Sequence, residues 1–318
     1  MNFYREQVLA PLRLGLKILL NKKLLLQAIS VALMFMSMLP VSFAQEEAEA
    51  SSIEPVVAEI SPAPADPSTL PLWEGGLLGL GASQPAYPGS EVRVTRLLGL
   101  PYMIYRGEFL RIDRSTVGVR AIHTDRTELD VGFAASLGSH SDEVEARRGM
   151  DDLGFLLEFG PRLKVNLGDV SKGRSDSRIQ LPLRGVFDAN DHLKFRGVSF
   201  EPQWIMDLHM PKGWYVSTGL GAVLGDQNLV DTFYRVSPAE ATDTRPSYDA
   251  KSGLIALRAS LFVSYLVSSD IRFFSFIRLD SVNGAANYNS PLVKRDNGWA
   301  VGMGLAWTLA RSDTKAMD

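Results

Sequence analysis

The sequence predicts an all-β chain: an antiparallel transmembrane β-barrel of about twelve strands, preceded by a signal peptide and a flexible tether. Three observations carry that expectation. Period-2 alternation runs through segments mostly 11–16 residues long, where a tilted membrane strand needs about 9–11 and a soluble strand usually has about 5–6. The polar faces of these segments carry charge in mid-strand. The gaps between them alternate between long and short, as periplasmic turns and external loops do in outer-membrane barrels.

At the N-terminus, Lys22 and Lys23 precede the uncharged apolar run Leu24–Pro40, which closes on Val41-Ser42-Phe43-Ala44. A basic segment, an apolar segment and a small-x-small site together predict a secretory signal over 1–44, cut between Ala44 and Gln45. A retained anchor is the alternative, since the run approaches the length of a span; Pro40 and the small residues favour cleavage. Residues 1–21 make a long basic lead, and a start downstream of Met1 stays open. Of 33 basic and 36 acidic residues, the leader holds five and one, leaving 28 and 35 on the exported 274 residues and a net charge near −7. That balance argues against a nucleic-acid partner. The chain has no cysteine, which excludes disulfides and thiolate metal sites. Residues 45–71 are acidic, rich in Ala, Pro and Ser, and without periodicity, as a disordered periplasmic tether would be.

From 72 the pattern becomes alternating strands, giving a barrel over 72–310 and a tail over 311–318. Strands fall near 73–83, 97–105, 108–114, 116–124, 126–138, 153–168, 177–188, 193–208, 213–225, 253–267, 270–282 and 297–310, with ten as the count if 97–124 folds into fewer. The segment 153–167 shows the pattern best. Leu153, Phe155, Leu157, Phe159, Pro161, Leu163, Val165 and Leu167 share one face, with Glu158, Arg162 and Lys164 on the other. Strand 270–282 adds Arg272, Arg278 and Asp280. These six are the expected lumen-facing residues, suited to a wet interior. The long gaps 84–96, 139–152, 226–252 and 283–296 all follow odd-numbered strands; tight turns such as Pro211-Lys212-Gly213 and Ser268-Ser269-Asp270 follow even ones. An even strand count then puts both ends in the periplasm, with the barrel in the outer membrane of a Gram-negative bacterium.

The last strand alternates Trp299, Val301, Met303, Leu305, Trp307 and Leu309 with small residues. Its Gly304-x-x-Trp307-x-Leu309 order resembles the assembly signal of bacterial outer-membrane proteins, which implies the barrel assembly machinery and outer-membrane lipid as partners. The tail in place of a terminal aromatic departs from that signal. Trp73, Tyr102, Tyr105, Trp204, Trp214, Trp299 and Trp307 lie where interfacial girdles would place them, or else are ordinary core aromatics.

Candidate chemistry is sparse. The four histidines, His123, His140, His192 and His209, show no pairing at metal-ligand spacing. Ser139-His140-Ser141-Asp142 contains the residue types of a hydrolase, yet a triad is a spatial arrangement and these are sequence neighbours in a polar loop. Gly79-Leu80-Gly81 lacks the strand–helix context of a nucleotide loop. No cofactor site is expected. Arg106, Arg111, Arg114, Arg120 and Arg126 alternate with apolar positions, which suits lumen or headgroup contacts better than a nucleic-acid patch.

Five separated segments carry a resemblance: Leu70–Glu91, Gly99–Arg114, Arg147–Leu163, Arg245–Gly253 and Ser290–Trp307. In this order they resemble the MltA-interacting protein family, also called MipA/OmpV, across essentially the whole exported chain. The tether, the long lead and the tail are departures. The resemblance implies an outer-membrane barrel without catalysis of its own. It implies a scaffold for murein synthesis and remodelling that bridges a lytic transglycosylase to a murein synthase. Porin-like or adhesive surface proteins are described in the same family, and a small channel or adhesin is the alternative. The family offers no catalytic residues to carry over. Its motif residues here include Tyr102, Tyr105, Arg106, Gly107 and Arg111 around a periplasmic turn. Others are Arg245, Pro246, Tyr248, Asp249, Ser290, Pro291, Leu292, Arg295 and Asp296 in external loops, where loop structure is their expected role.

Overall fold

β-Branched, aromatic and leucine residues at every second position form the strands, and glycine- or proline-bearing turns end them. The computed structural model describes residues 71–106, 110–112, 117–119, 122–124, 126–169 and 175–315. The signal with its Ala44–Gln45 site, the tether up to residue 70 and residues 316–318 lie outside the described residues. So does Gly107, as do the side chains of Tyr105, Arg106, Arg111, Arg114, Arg120 and His123. The strand segments are β1 (Trp73–Pro85), β2 (Arg93–Arg106), β3 (Leu110–Ile112), β4 (Val117–Val119), β5 (Ile122–His123), β6 (Thr127–Ser136) and β7 (Leu156–Asp169). They continue with β8 (Ser175–Asp188), β9 (Lys194–Phe200), β10 (Gln203–Met210), β11 (Trp214–Gly225), β12 (Gly253–Leu266), β13 (Ile271–Ser281) and β14 (Asn297–Arg311).

Every ladder is antiparallel. The hydrogen-bonded order runs β4-β3-β2-β1-β14-β13-β12-β11-β10-β8-β7-β6-β5. β9 and β10 act as one strand interrupted at Glu201–Pro202: β8 and β11 each pair with both segments. The proline has no N–H for a ladder, so the break falls there. The two ends of the order, β4 and β5, are consecutive in the chain, and β4 lies against β6. With β9 and β10 counted as one strand and β4 and β5 as another, the fourteen segments make twelve strands; the two ends of the sheet lie side by side, and the fold is an antiparallel barrel.

The pleat sorts the side chains. Outward positions carry large apolar residues in contact with the surroundings, among them Leu77, Leu97, Phe159, Leu183, Leu220, Leu257, Leu279 and Leu305. In water such a belt would be an aggregation surface; in lipid it is the wall of an outer-membrane barrel. Aromatics thicken it. Phe133, Phe159, Phe187 and Phe195 form a ladder across β6 to β9, with ring centroids 6.1, 4.8 and 5.5 Å apart in succession. Trp214 packs on Tyr265 at 4.7 Å, and Trp73, Trp299 and Trp307 are exposed. Tyr102 departs from the girdle expectation. It sits on the inward face of β2, and its hydroxyl meets Thr308 Oγ1 at 2.7 Å inside the barrel.

Three further details differ from the sequence reading. The long strand begins at Leu156 rather than 153, and Leu153 and Phe155 are buried instead of facing lipid. Residues 226–252 contain a helix, α1 (Gln227–Tyr234). Asp226 caps it, its carboxylate accepting from the backbone N–H of Leu229 at 3.0 Å, while Leu229, Val230 and Tyr234 are buried. The last strand runs one residue further than the expected 310. β14 extends to Arg311, and Lys315 bridges back to Pro71.

These loop elements share a core. Ala86 and Tyr87 from the first long loop, Val144, Met150 and Leu153 from the second, Leu229, Val230, Tyr234 and Val236 from the third, and Leu292 from the fourth form one apolar cluster. The four long loops therefore fold together at one end of the barrel. At the other end the described connections include the tight turns at 211–213 and 267–270.

Candidate functional site

The inward faces of the strands define the site. On β6 and β7, Asp130 lies opposite Arg162 and Glu128 opposite Lys164 in the ladder. Arg162 donates from Nε and Nη2 to the two oxygens of Asp130, both at 3.0 Å. Lys164 Nζ donates to Asp130 at 2.6 Å and to Glu128 at 3.1 Å. The Asp130 side chain has no exposed surface, and those of Arg162 and Lys164 retain 7% and 5%. Next along the wall, Arg178 of β8 pairs with Asp207 of β10, which also accepts from the Tyr215 hydroxyl at 2.8 Å.

Nearer the loop end lies a second network. Arg258 of β12 donates from Nε to Asp280 Oδ1 at 2.7 Å and from Nη2 to Oδ2 at 3.1 Å, and it reaches Glu201 through Nη1. Arg184 reaches the other oxygen of Glu201 at 3.3 Å, and Glu158 accepts from Ser199 Oγ at 2.8 Å. Among the described residues, the ion pair of Arg278 is with Asp280, with Nε 3.3 Å from Oδ2. These groups line a cavity of about 250 Å³ whose other walls include Gln180, Gln203, Ser217, Ser260 and Phe262.

The opposite wall is apolar. Leu78 and Leu80 of β1, Leu98 of β2, Phe262 of β12, Phe274 of β13 and Ala306 of β14 meet inside the barrel with Tyr215, and Phe274 has no exposed surface. The small residues of β14 are there for this. Gly304 and Gly302 lie opposite Phe274 and Phe276, and a Cβ on either glycine would run into those rings. Large side chains on one strand over glycines on the next fill the interior as in a protein core. Salt bridges and aromatic packing both project into the lumen at this level.

The loop end is held by two arginines that reach across to each other's loop. Arg147 donates from Nη1 to the carbonyls of Thr232 and Phe233, at 3.4 and 3.2 Å. Arg245 donates from Nη1 to the carbonyls of Ala146 and Arg148, at 3.1 and 3.0 Å, and from Nη2 to Glu240 O at 2.6 Å. Tyr87 packs under Arg147, 5.8 Å from ring to guanidinium, and donates to Leu292 O at 2.8 Å. Burial pushes its hydroxyl up to about 12, and burial raises that of Tyr234 further still. Elsewhere in the loop core, Asn287 accepts from Lys251 N, and Ser290 Oγ, of a family-motif residue, donates to Tyr234 O.

His140 stands at the rim, its Nδ1 2.9 Å from Asp152 Oδ2, while Asp152 Oδ1 accepts from Ser141 N at 2.6 Å. The bond to Asp152 raises the imidazole above its ordinary value. The Ser141 N–H, and then His140, hold the Asp152 carboxyl below the usual range. Among the described residues no serine hydroxyl bonds this imidazole. No group of three or more metal-ligating His, Asp or Glu side chains occurs among the described residues.

Of the residues singled out from sequence, Glu158, Arg162, Arg278 and Asp280 line the cavity, Lys164 lies deeper in the first network, and buried Arg272 bonds Ser264 Oγ at 3.4 Å. Gly304 turns inward under Phe274, and Trp307 and Leu309 face outward. Sequence reasoning did not single out Arg178, Arg184, Glu201, Asp207 and Arg258. All five stand on the polar parity of strands it did place, so following that parity through every strand would have found them. Glu201 sits in the β9–β10 break, yet it keeps the parity of Ser199 and Gln203, which line the same cavity.

Comparison with known proteins places this architecture. The comparison with curated proteins returns no match. Among solved structures, the chain is similar to the NanC porin, at 11% identity and a TM-score of 0.37, covering 73% of this chain and 100% of that one. It is also similar to outer membrane phospholipase A from Escherichia coli, at 14% identity and a TM-score of 0.33, covering 81% and 98%. A third is the COG4313 outer membrane channel from Pseudomonas putida F1, at 13% identity and a TM-score of 0.33, covering 78% and 99%. At such scores these likenesses carry no argument about function. The family model of MltA-interacting protein MipA matches residues 78–309, from within β1 to near the end of β14. With well over half of its length matched, the chain belongs to the MltA-interacting protein MipA family and is an outer-membrane protein of Gram-negative bacteria.

Proposed function

We propose that this protein is a non-conducting outer-membrane scaffold that holds murein enzymes, a lytic transglycosylase and a murein synthase, at the periplasmic face. The single observation that carries the reading is the occupied lumen: buried ion pairs around Asp130 and an apolar wall around Phe274 stand where a channel would keep water. Family membership supplies the kind of partner. In this reading the leader to Ala44 is removed, and residues 45–71 reach from the barrel toward the cell wall. The chain supplies position rather than catalysis.

The refolded mature barrel should give no discrete conductance steps in a planar bilayer. Immobilised, it should enrich a lytic transglycosylase and a murein synthase from a periplasmic extract, and removal of residues 45–71 should weaken that enrichment. Absence of enrichment by the full mature chain sinks the scaffold. The second reading, a small porin-like channel, is favoured by the charged cavity of about 250 Å³, and stepwise conductance would establish it instead.

A further inference from the structure

We propose that the cavity on the loop side of the lumen is a binding site for a small carboxylate, with Arg278 as its principal ligand. This does not depend on the scaffolding reading, because it concerns the interior rather than the periplasmic face.

The argument starts from how the donors and acceptors around the cavity are used. Both oxygens of Asp280 are taken by the Arg258 fork, and both oxygens of Glu201 by Arg258 and Arg184. Arg162 is occupied by Asp130 and Arg178 by Asp207. Arg278 is different. It lines the same cavity, yet among the described residues it makes no hydrogen bond: its ionic contact there is with a carboxylate already engaged in two bonds by Arg258, and its Nε is one of several buried nitrogens without an acceptor. Its side chain also keeps 26% of its surface accessible, more than Arg258 at 18% or Arg184 at 6%. A planar guanidinium with unspent donors, facing a cavity in a poorly hydrated interior, matches the two oxygens of a carboxylate.

The rest of the lining fits the same ligand. Gln180, Gln203, Ser217 and Ser260 offer uncharged hydrogen-bonding groups, and Phe262 and Phe276 offer apolar surface for a short hydrocarbon part. At about 250 Å³ the cavity is below the usual range of drug-sized pockets, which limits the ligand to a few heavy atoms. Water alone could also fill it, and the test separates the two.

The probe is acetate, with the refolded mature barrel in zwitterionic detergent. Sodium acetate replaces sodium chloride at equal ionic strength, and thermal unfolding is followed by heat-modifiable gel migration. The expected result is a rise in midpoint of about 2–4 °C in acetate. The rise should be absent with acetamide, the neutral isostere, and absent in Arg278→Gln. An equal rise in Arg278→Gln, or none in the native barrel, overturns the proposal. Should Arg278→Gln not fold, Arg278→Lys decides. It keeps the charge but loses the fork, so an apparent affinity for acetate weaker by at least about tenfold supports the site, and an unchanged one overturns it.

Discussion

Replacing Asp130 by alanine asks whether the interior of this barrel is dry. The carboxylate receives two bonds from Arg162 and one from Lys164, and none of the three side chains has more than 7% of its surface exposed. In a dry interior, removing the anion leaves two cations sharing what acceptors remain. Breaking a buried ion pair in this way costs about 3–5 kcal/mol, and although Lys164 keeps Glu128, both cations lose a partner. In a water-filled lumen the same bonds would be worth about 0–1 kcal/mol, because solvent would replace them. The two outcomes are far enough apart to measure. Urea unfolding of the refolded barrel in lipid vesicles, followed by tryptophan fluorescence and by heat-modifiable migration, gives the difference from the midpoint shift and slope. A double variant, Asp130→Leu with Arg162→Met, should recover much of the loss, since taking out both charges removes the desolvation problem along with the bond. A cost below about 1 kcal/mol for Asp130→Ala would refute the dry interior. It would take with it the main support for a non-conducting barrel.

Other expectations follow from the same packing. Arg245→Ala removes two bonds between the second and third long loops, and at about 1.5 kcal/mol for each charged bond the loop core should loosen by about 3 kcal/mol. Amide hydrogen exchange over 137–155 should speed up accordingly, with strand amides unchanged. Gly304→Val should reduce the folded fraction on heat-modifiable gels, because its Cβ would meet both the Gly79 carbonyl and the Phe274 ring. The clash with the carbonyl means that adding Phe274→Ala restores only part of it. The His140–Asp152 pair is exposed, so its effect is small and screened, but its sign is fixed. The raised imidazole contributes below its unfolded value of 6.5 and loses that contribution as pH rises through its folded value; the lowered carboxyl contributes above 3.8 and loses it on acidification. Protection of the 137–155 loop should therefore be greatest between those values and decline toward alkaline pH. His140→Ala should abolish the alkaline decline.

Much of the architecture was legible because the bilayer imposes it on the sequence. Alternation along residues 156–167 has to match lipid outside and side chains inside, so strand positions and loop alternation could be read directly. Helix α1 was not visible, because eight residues inside a 27-residue gap are too few to show a 3.6 period, and only the Asp226 cap marks it. Leu153 and Phe155 misled for a related reason. Their spacing continues the strand pattern, but they leave the wall and enter the loop core, and period-2 alternation cannot distinguish lipid from another loop as the apolar surroundings.

The charged residues expose the deeper limit. Arg162, Lys164 and Arg272 in mid-strand read as signs of water, because a lone charge in a barrel needs it. What decides the matter is whether each has a counter-charge one strand away, and that depends on register. The pairing of Asp130 with Arg162 is set across a loop too long to dictate register, and the pairing of Arg258 with Asp280 across a turn that does. In both cases the opposite charges face each other directly in the ladder, so the interior can hold them without solvent. The same rule explains the glycines. Gly302 and Gly304 look like ordinary small lumen residues that would leave room for a pore, until register places Phe276 and Phe274 over them. A lumen is wide or filled according to what its neighbours across the ladder are, and those neighbours are a property of the folded sheet rather than of any single strand.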